Sequence, residues 1–438
     1  EVSAPVTQLQ NMSMCDRGTH FHTPDMGDPE GETLQEESEV FEVDEQISEK
    51  INELKTGTIR EAILAAEFLF ARAHTSHHKA EENKQQIRRE GAIPHLCRLL
   101  TESSIEARYQ ACSALSELAF RNERNCIGIV CVPGALDALI HLLNNSNMQE
   151  DAALVLNNCA AFCEDACQIM VRYKGLVPAL KKLAIGPVMG AKNVAVGAIN
   201  CLSRCPAAKD ILMSYRIVEE ALTPVLRETG SGDKHEARLA RAAMAVANLT
   251  CRTRSCFTND ADHFQAVATA VKILGYALDG KSWAGIFFAP YSVLYPLRNL
   301  SSQEENCNYL VECGLVELLA RFMAEWKRVG HHAERTLVLA LETAVALSGR
   351  FEWQQRLRAS GVLQSLKMVC GRGRGESEEC AELASGLLDT LLESHTAVFM
   401  GQHARVGAGS RLHSLDEYVT GIILDYSLGG RLCTFGAH

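Results

Sequence analysis

The sequence predicts an all-α chain built from about eight repeats of three helices each, and three observations carry that reading. A nine-residue apolar pattern recurs eight times at separations of 41 to 51 residues, a glycine-led apolar motif precedes most copies, and aromatic residues make up only 6% of the chain. The recurrence is a repeat of about 42 residues with loop insertions, the mark of an array whose units bury their apolar faces only against neighbours. Scarce aromatics suit close helix packing through small residues better than a β-sandwich.

The pattern reads "AILAAEFLF" from Ala62, "ACSALSELA" from Ala111, "AALVLNNCA" from Ala152, "AVGAINCLS" from Ala195, "AAMAVANLT" from Ala242, "VLYPLRNLS" from Val293, "ALETAVALS" from Ala340 and "ASGLLDTLL" from Ala384. Small or apolar residues hold its first and fourth positions and an apolar residue its fifth, the spacing of one buried helix face. It predicts eight long third helices, over 58–72, 105–120, 149–163, 191–204, 236–252, 289–301, 333–348 and 378–393. The upstream motif reads "GAIPHLCRLL" at Gly91, "GALDALIHLL" at Gly134, "GLVPALKKLA" at Gly175, "GLVELLARFM" at Gly314 and "GVLQSLKMVC" at Gly361. Its glycine suits the corner that ends a short helix, and Pro94 and Pro178 fall in the next helix's first turn, where a missing N–H does no harm. Each unit is therefore a short helix, a glycine corner, a second helix and a long third helix. Departures are expected at three places: Arg216 replaces the corner glycine, the segment around Phe264 fits weakly, and the first unit has no separate short helix and caps the array.

Charge and composition bound the function. The 54 Asp+Glu exceed the 43 Lys+Arg by eleven, and eleven acidic residues with no Lys or Arg lie between Thr23 and Glu49. The rest of the chain is neutral, which argues against a nucleic-acid-binding body. Three segments follow: an acidic disordered tail over 1–42, the repeat array over 43–394, and an extension over 395–438 in which "DEYVTGIILDY" is able to form one extra helix. No apolar run reaches membrane-spanning length. The seventeen cysteines include no CxxC pair and sit mostly at apolar helical positions, so they read as buried free thiols in a reducing compartment. The tighter group Cys159, Cys163, Cys167, Cys201 and Cys205 keeps a metal or redox site as the sharper alternative. His77-His78 and His331-His332 fall in polar linkers, and "GRGRGE" at Gly371 reads as a loop rather than a phosphate cradle. No GxSxG, HExxH, Walker-type or dinucleotide fingerprint is present, so no enzymatic activity, cofactor or metal is expected.

The motifs "GAIPHL" and "AVANLT" resemble the signature of the armadillo repeat family, a Gly-[Ala/Leu]-[Ile/Val]-Pro-x-Leu helix followed by a third helix ending Ala-Leu-x-Asn-Leu-[Ala/Ser]. The resemblance covers Glu42 to Ser394 and implies a right-handed superhelical solenoid whose third helices line a concave groove. In that family the seventh-position asparagine points into the groove and hydrogen-bonds the main chain of an extended peptide. The resemblance assigns this role to Asn158, Asn248 and Asn299, the alternative being that each amide bridges within its own repeat.

The residue four before that position, a tryptophan in the family's nuclear-import adaptors, includes Tyr295 here and no Trp. Those adaptors also carry a basic N-terminal segment where this chain is acidic, so a cargo adaptor of that kind is disfavoured. Four residues after it stand Arg72, Arg121, Arg252 and Arg350, with Arg204 one residue earlier in its unit. Arginine favours carboxylate and phosphate partners through bidentate contacts, and these residues also suit helix C-termini. The expected function is a non-enzymatic interaction scaffold binding an extended, acidic or phosphorylated protein segment, with the chain's own acidic tail as a second candidate ligand. Alternatives are a nuclear transport receptor for other cargo, or a chaperone or GTPase regulator gripping a folded domain. A cytoplasmic location is expected, with the nucleus also open. "WAGIFF" at Trp283, in the insertion before the sixth third helix, reads as an apolar docking loop or as packing under a neighbouring repeat.

Overall fold

The structure, a computed structural model, describes residues 43–144, 147–251, 253–329, 333–371 and 378–404. The acidic tail 1–42, the "GRGRGE" loop beyond Gly371, His331-His332 and the helix expected near 416–426 lie outside the described residues. Among the described residues all regular structure is helical apart from one two-residue bridge in a hairpin. The chain divides into two units, up to Gln303 and from Glu304 onward.

In the first unit the opening layer has two helices, α1 (Glu45–Thr56) and α2 (Ile59–Ala73). Three full layers follow: α3 (Ala80–Arg89), α4 (Ala92–Leu99) and α5 (Ile105–Ala119); α6 (Glu123–Val130), α7 (Ala135–Asn144) and α8 (Gln149–Phe162); α9 (Glu164–Arg172), α10 (Leu176–Ala184) and α11 (Met189–Ser203). The fifth layer is irregular, with α12 (Lys209–Ser214), a π-helical turn over Val218–Leu222 that runs into α13 (Thr223–Leu226), and α14 (Asp233–Thr250). In the sixth, one 19-residue helix, α15 (Asp260–Leu278), stands where two shorter ones are expected around Phe264, and α16 (Pro290–Ser301) follows a hairpin. The second unit has two layers: α17 (Glu304–Glu312), α18 (Leu315–Glu325) and α19 (Ala333–Leu347), then α20 (Phe351–Ala359), α21 (Val362–Gly371) and α22 (Glu378–Ala404). The third helices are α2, α5, α8, α11, α14, α16, α19 and α22. Their ends fall within three residues of expectation except that α22 runs on to Ala404, past the boundary at 394.

Small residues let the third helices lie side by side. At the first and fourth pattern positions Ala111, Ala114, Ala152, Ala195, Ala198, Ala242 and Ala245 are fully buried. α2 packs on α5, α5 on α8, α8 on α11 and α11 on α14 through these faces. Leucines such as Leu115, Leu156 and Leu202 fill the interior between them, each worth about 1.5–3 kcal/mol of burial. Thr58 starts α2 with a reciprocal capping box to Glu61, and Ser104 caps α5 by accepting from the Ala107 N–H.

The far ends of the third helices are closed by the next layer. Asn83 Nδ2 donates to the Arg72 carbonyl at 2.9 Å and Asn125 Nδ2 to the Leu118 carbonyl at 2.9 Å. The thiols of Cys126 and Cys167 donate to the Ala119 and Ala160 carbonyls at 3.2 and 3.1 Å. Lys84 is fully buried, donating to the Phe120 carbonyl just past α5 and to Glu81, each at 2.8 Å. Its charge sits where the helix presents partial negative charge. In the second unit Gln354 Nε2 closes the Ser348 carbonyl at 2.7 Å.

The corner glycines Gly91, Gly134, Gly175, Gly314 and Gly361 all hold φ between 77° and 91°. A Cβ at Gly91, Gly134 or Gly361 would meet nothing within 4 Å, so backbone angle rather than space demands glycine there. Arg216 occupies the equivalent corner at φ 53°, a conformation that costs a side-chain-bearing residue roughly 1–2 kcal/mol. The layer containing it is the one that departs into a π-turn. Arg216→Gly should raise the urea unfolding midpoint by the equivalent of about 1 kcal/mol, and Gly134→Ala should lower it by a similar amount; equal midpoints for parent and both variants would show that the corners are not strained.

Candidate functional site

The three asparagines expected to serve a bound main chain are bonded between neighbouring third helices. Asn158 on α8 is half-buried, and its Nδ2 donates to the Ser116 carbonyl of α5 at 3.0 Å. Asn248 on α14 and Asn299 on α16 are buried, at 7% and 6% exposure. Asn299 Nδ2 donates to Asn248 Oδ1 at 3.1 Å, Asn248 Nδ2 donates to Ser203 Oγ on α11 at 2.9 Å, and Ser203 Oγ donates to the Asn200 carbonyl at 2.7 Å. This relay joins three consecutive layers, and each bond that an asparagine donates uses one of its amide's two N–H groups. The amides therefore bridge between repeats rather than within one. Removing Asn299 leaves the buried Asn248 Oδ1 short of a donor, at a cost of roughly 1–3 kcal/mol. A double-mutant cycle of Asn248→Ala and Asn299→Ala, read from unfolding midpoints, should give a coupling of about 0.5–3 kcal/mol, whereas additive effects would dissolve the relay.

The arginines do not form one uniform row. Arg72 is held in the first layer: its guanidinium donates to Gln46 Oε1 at 2.5 Å, pairs with Asp44 at 3.6 Å, meets His77 Nε2 at 3.1 Å and lies over the Phe68 ring. Asp44 belongs to the acidic stretch itself, and its side chain also caps α1 through the Gln46 N–H. Arg204 reaches back to the Ala161 carbonyl near the end of α8 at 3.4 Å, so it covers a neighbour's helix terminus rather than its own. Arg350, in the second unit, donates to Glu304 and lies over Trp353 at 4.9 Å. Arg252 lies outside the described residues. Tyr295, one turn before Asn299, is half-buried beside Tyr291, with ring centroids 6.1 Å apart, and burial is the first cause raising its phenol pKa.

Arg121 differs from the others. It stands just past the end of α5 at φ 57° and is exposed, with its guanidinium carbon 5.4 Å from the Phe120 ring and 4.8 Å from the Phe287 ring. Burial among its neighbours lowers its pKa from the ordinary guanidinium value, opposed by the charge of Glu81.

With this geometry in place, the repeat chemistry has an independent counterpart: residues 80–120 match the Armadillo/beta-catenin-like repeat. The matched span covers α3, α4 and α5, one complete layer with its corner glycine. Residues 80–120 are therefore one armadillo repeat, set in an all-helical array of similar layers. Similar solved structures include an engineered protein of the Northeast Structural Genomics Consortium, 18% identical over 79% of this chain and 98% of that one, TM-score 0.44. Another is a designed armadillo repeat protein, 17% identical over 68% and 99%, TM-score 0.31. A further designed armadillo repeat protein, in complex with the peptide (KR)4, is 17% identical over 68% and 99%, TM-score 0.29. No curated protein matches this chain.

The armadillo face carries residues that the sequence reading passed over. Arg241 lies seven residues before Asn248 on α14, two helical turns away on the same side. Its guanidinium donates to the Asn193 carbonyl of α11 at 3.4 Å and lies over the Phe288 ring at 5.5 Å. It also explains a glycine: a Cβ on Gly197 would come within 2.8 Å of Arg241 Nη1 and of Asn157 Oδ1. The position that carries tryptophan in import adaptors is thus taken, in this layer, by an arginine from the next one. The recurring Glu-x-Asn ends of the short helices, at Asn83 and Asn125, were also visible as a signal, since a polar residue at a fixed place in an apolar repeat implies a fixed partner.

Among the described residues no group of three or more His, Cys, Asp or Glu is arranged to hold a metal, and no single helix is long and apolar enough to cross a membrane. Burial pushes the Cys97 thiol up to about 12 and those of Cys163, Cys307 and Cys313 up to about 11. Cys163 accepts the Ala166 N–H as the cap of α9, and Cys131 and Cys370 are exposed. Among the described cysteines, iodoacetamide at pH 8 should therefore label Cys131 and Cys370 first, with Cys97, Cys163 and Cys167 reacting only on unfolding; peptide mass mapping that finds the Cys163–Cys167 pair labelled early would contradict this.

Proposed function

We propose that this armadillo array is a non-enzymatic scaffold that binds an extended acidic or phosphorylated segment of a protein partner along its third helices. The observation that carries the reading is Arg121. Its guanidinium carbon lies over the Phe120 and Phe287 rings, contacts that use none of its N–H donors in hydrogen bonds. Those donors lie in the plane of the group, the geometry that suits a carboxylate or phosphate. Bracing by the adjacent Phe120 also removes rotamer freedom before a ligand arrives, so less is lost on binding.

The amides complete the picture. Asn158, Asn248 and Asn299 each have a second N–H, and a donor of that kind serves a ligand's main chain without reading its side chains. Tyr295 on α16 and Arg204, just past α11, belong to the same first unit, while Arg72 is already engaged by Asp44. The chain's own acidic tail is a ligand of the same chemistry, at an effective concentration on the order of millimolar because it is tethered.

Fluorescence anisotropy with three peptides of equal length tests the reading: one Glu-rich, one carrying phosphoserines, one rich in Lys and Arg. The acidic and phosphorylated peptides should bind more tightly than the basic one, and their affinity should fall with added salt. Arg121→Gln should weaken both by roughly tenfold or more, the worth of one charge-assisted contact. Tighter binding of the basic peptide would overturn the proposal.

A further inference from the structure

The hairpin ahead of α16 makes contacts that a linear array does not need. Stacked repeats touch their immediate neighbours, yet Phe287 of the sixth layer lies on Arg121 of the second, and the adjacent Phe288 lies on Arg241 of the fifth. The hairpin is built to hold those two rings. Trp283 and Ile286 exchange both backbone hydrogen bonds, at 2.9 and 2.8 Å, around Ala284 at φ 52° and Gly285 at φ 74°. Two successive positive φ values between paired residues make a type I′ turn, the tight connection that matches strand twist. Ala284 adopts this conformation at a cost glycine would avoid.

Trp283 anchors the turn to its own layer. It is buried, meets Tyr276 of α15 edge-on at 5.1 Å, and has Lys272 Nζ 3.9 Å from its ring centroid. From that anchor Phe288 is buried against the array, whereas Phe287 is only half-buried. Arg241, under Phe288, itself covers Gly197 of α11, so from its anchor on α15 the hairpin reaches the third-helix surface.

We infer that the hairpin 281–289 is an intramolecular strap across the third-helix face of the first unit, and that an extended ligand gains full access to Arg121 and Arg241 by displacing Phe287 and Phe288. The strap holds these arginines in cis, so a ligand has to supply a stronger interaction than an aromatic ring does. Carboxylate and phosphate groups meet that requirement, because their charge-assisted bonds outweigh an exposed cation–π contact of about 0.5–1 kcal/mol. The strap is held by Trp283 rather than by the rings that move, which lets it open without unfolding α15 or α16. The charge class of the ligand rests on the proposed function; the strap itself rests only on these contacts.

The test compares parent protein, Phe287→Ala, and Phe287→Ala with Phe288→Ala against the same three peptides. Phe287→Ala removes a half-buried ring and should leave the fold intact, which guards against loss of folding in the double variant. Opening the strap should tighten the acidic and phosphorylated peptides by about threefold to tenfold, chiefly through faster association. If instead the basic peptide tightens, the strap stands and the acidic reading falls. Unchanged or weaker binding of every peptide by Phe287→Ala would overturn the strap, since the rings would then be part of the binding surface or irrelevant to it; so would failure of all three proteins to bind any peptide.

Discussion

The carbonyl groups at the ends of the third helices α2, α5, α8 and α19 are closed by donors from the layer that follows. An α-helix leaves its last carbonyls without intrahelical partners, and buried without partners they cost more than most single contacts contribute. Asn83, Asn125, Cys126 and Cys167 meet this need from the following short helix, each with a donor at 2.9–3.2 Å. The donor has to be in register with the carbonyl, so the spacing between layers follows from hydrogen-bond length. Apolar packing alone would not impose it, because alanine and leucine faces tolerate sliding.

The same logic governs the face proposed to bind a partner. The relay from Asn299 through Asn248 to Ser203 crosses from helix to helix, tying α16 to α14 and α14 to α11. One hydrogen of each amide holds the layers together; under the proposed function the other serves a ligand. Substituting such an amide changes stability and binding together, so the two effects have to be separated by measurement of both. The arginines show a parallel division, with Arg72 and Arg204 committed to polar groups within the fold, Arg121 lying over two aromatic rings, and Arg241 combining a ring with the Asn193 carbonyl.

Local sequence was sufficient for the helical framework. The alanine pattern marked the third helices because only small residues allow helices to lie that close, and the glycine corners marked the helix boundaries because φ near 80° excludes other residues at low cost. Where the corner residue was Arg216 the sequence signal weakened, and the structure weakened with it: that layer is the one with a π-turn and a short α13. Around Phe264 the absence of a corner glycine had a simpler outcome, a single uninterrupted α15. The resemblance to armadillo repeats located the asparagines, but it could not say which of each amide's hydrogens was already taken.

What the sequence by itself determined is therefore the repeat, its helices, and the positions of the special polar side chains within each unit, since these depend on residues a few places apart. What only the tertiary structure decided are contacts between residues far apart in the sequence, all within the first unit: the amide relay, Asp44 on Arg72, Arg241 over Gly197, and above all Phe287 on Arg121, 166 residues away in the chain. The physical reason is one of range. Helix periodicity and backbone angles are local and recur in the letters, whereas the partner of a surface guanidinium is set by how several layers stack, which no single repeat encodes.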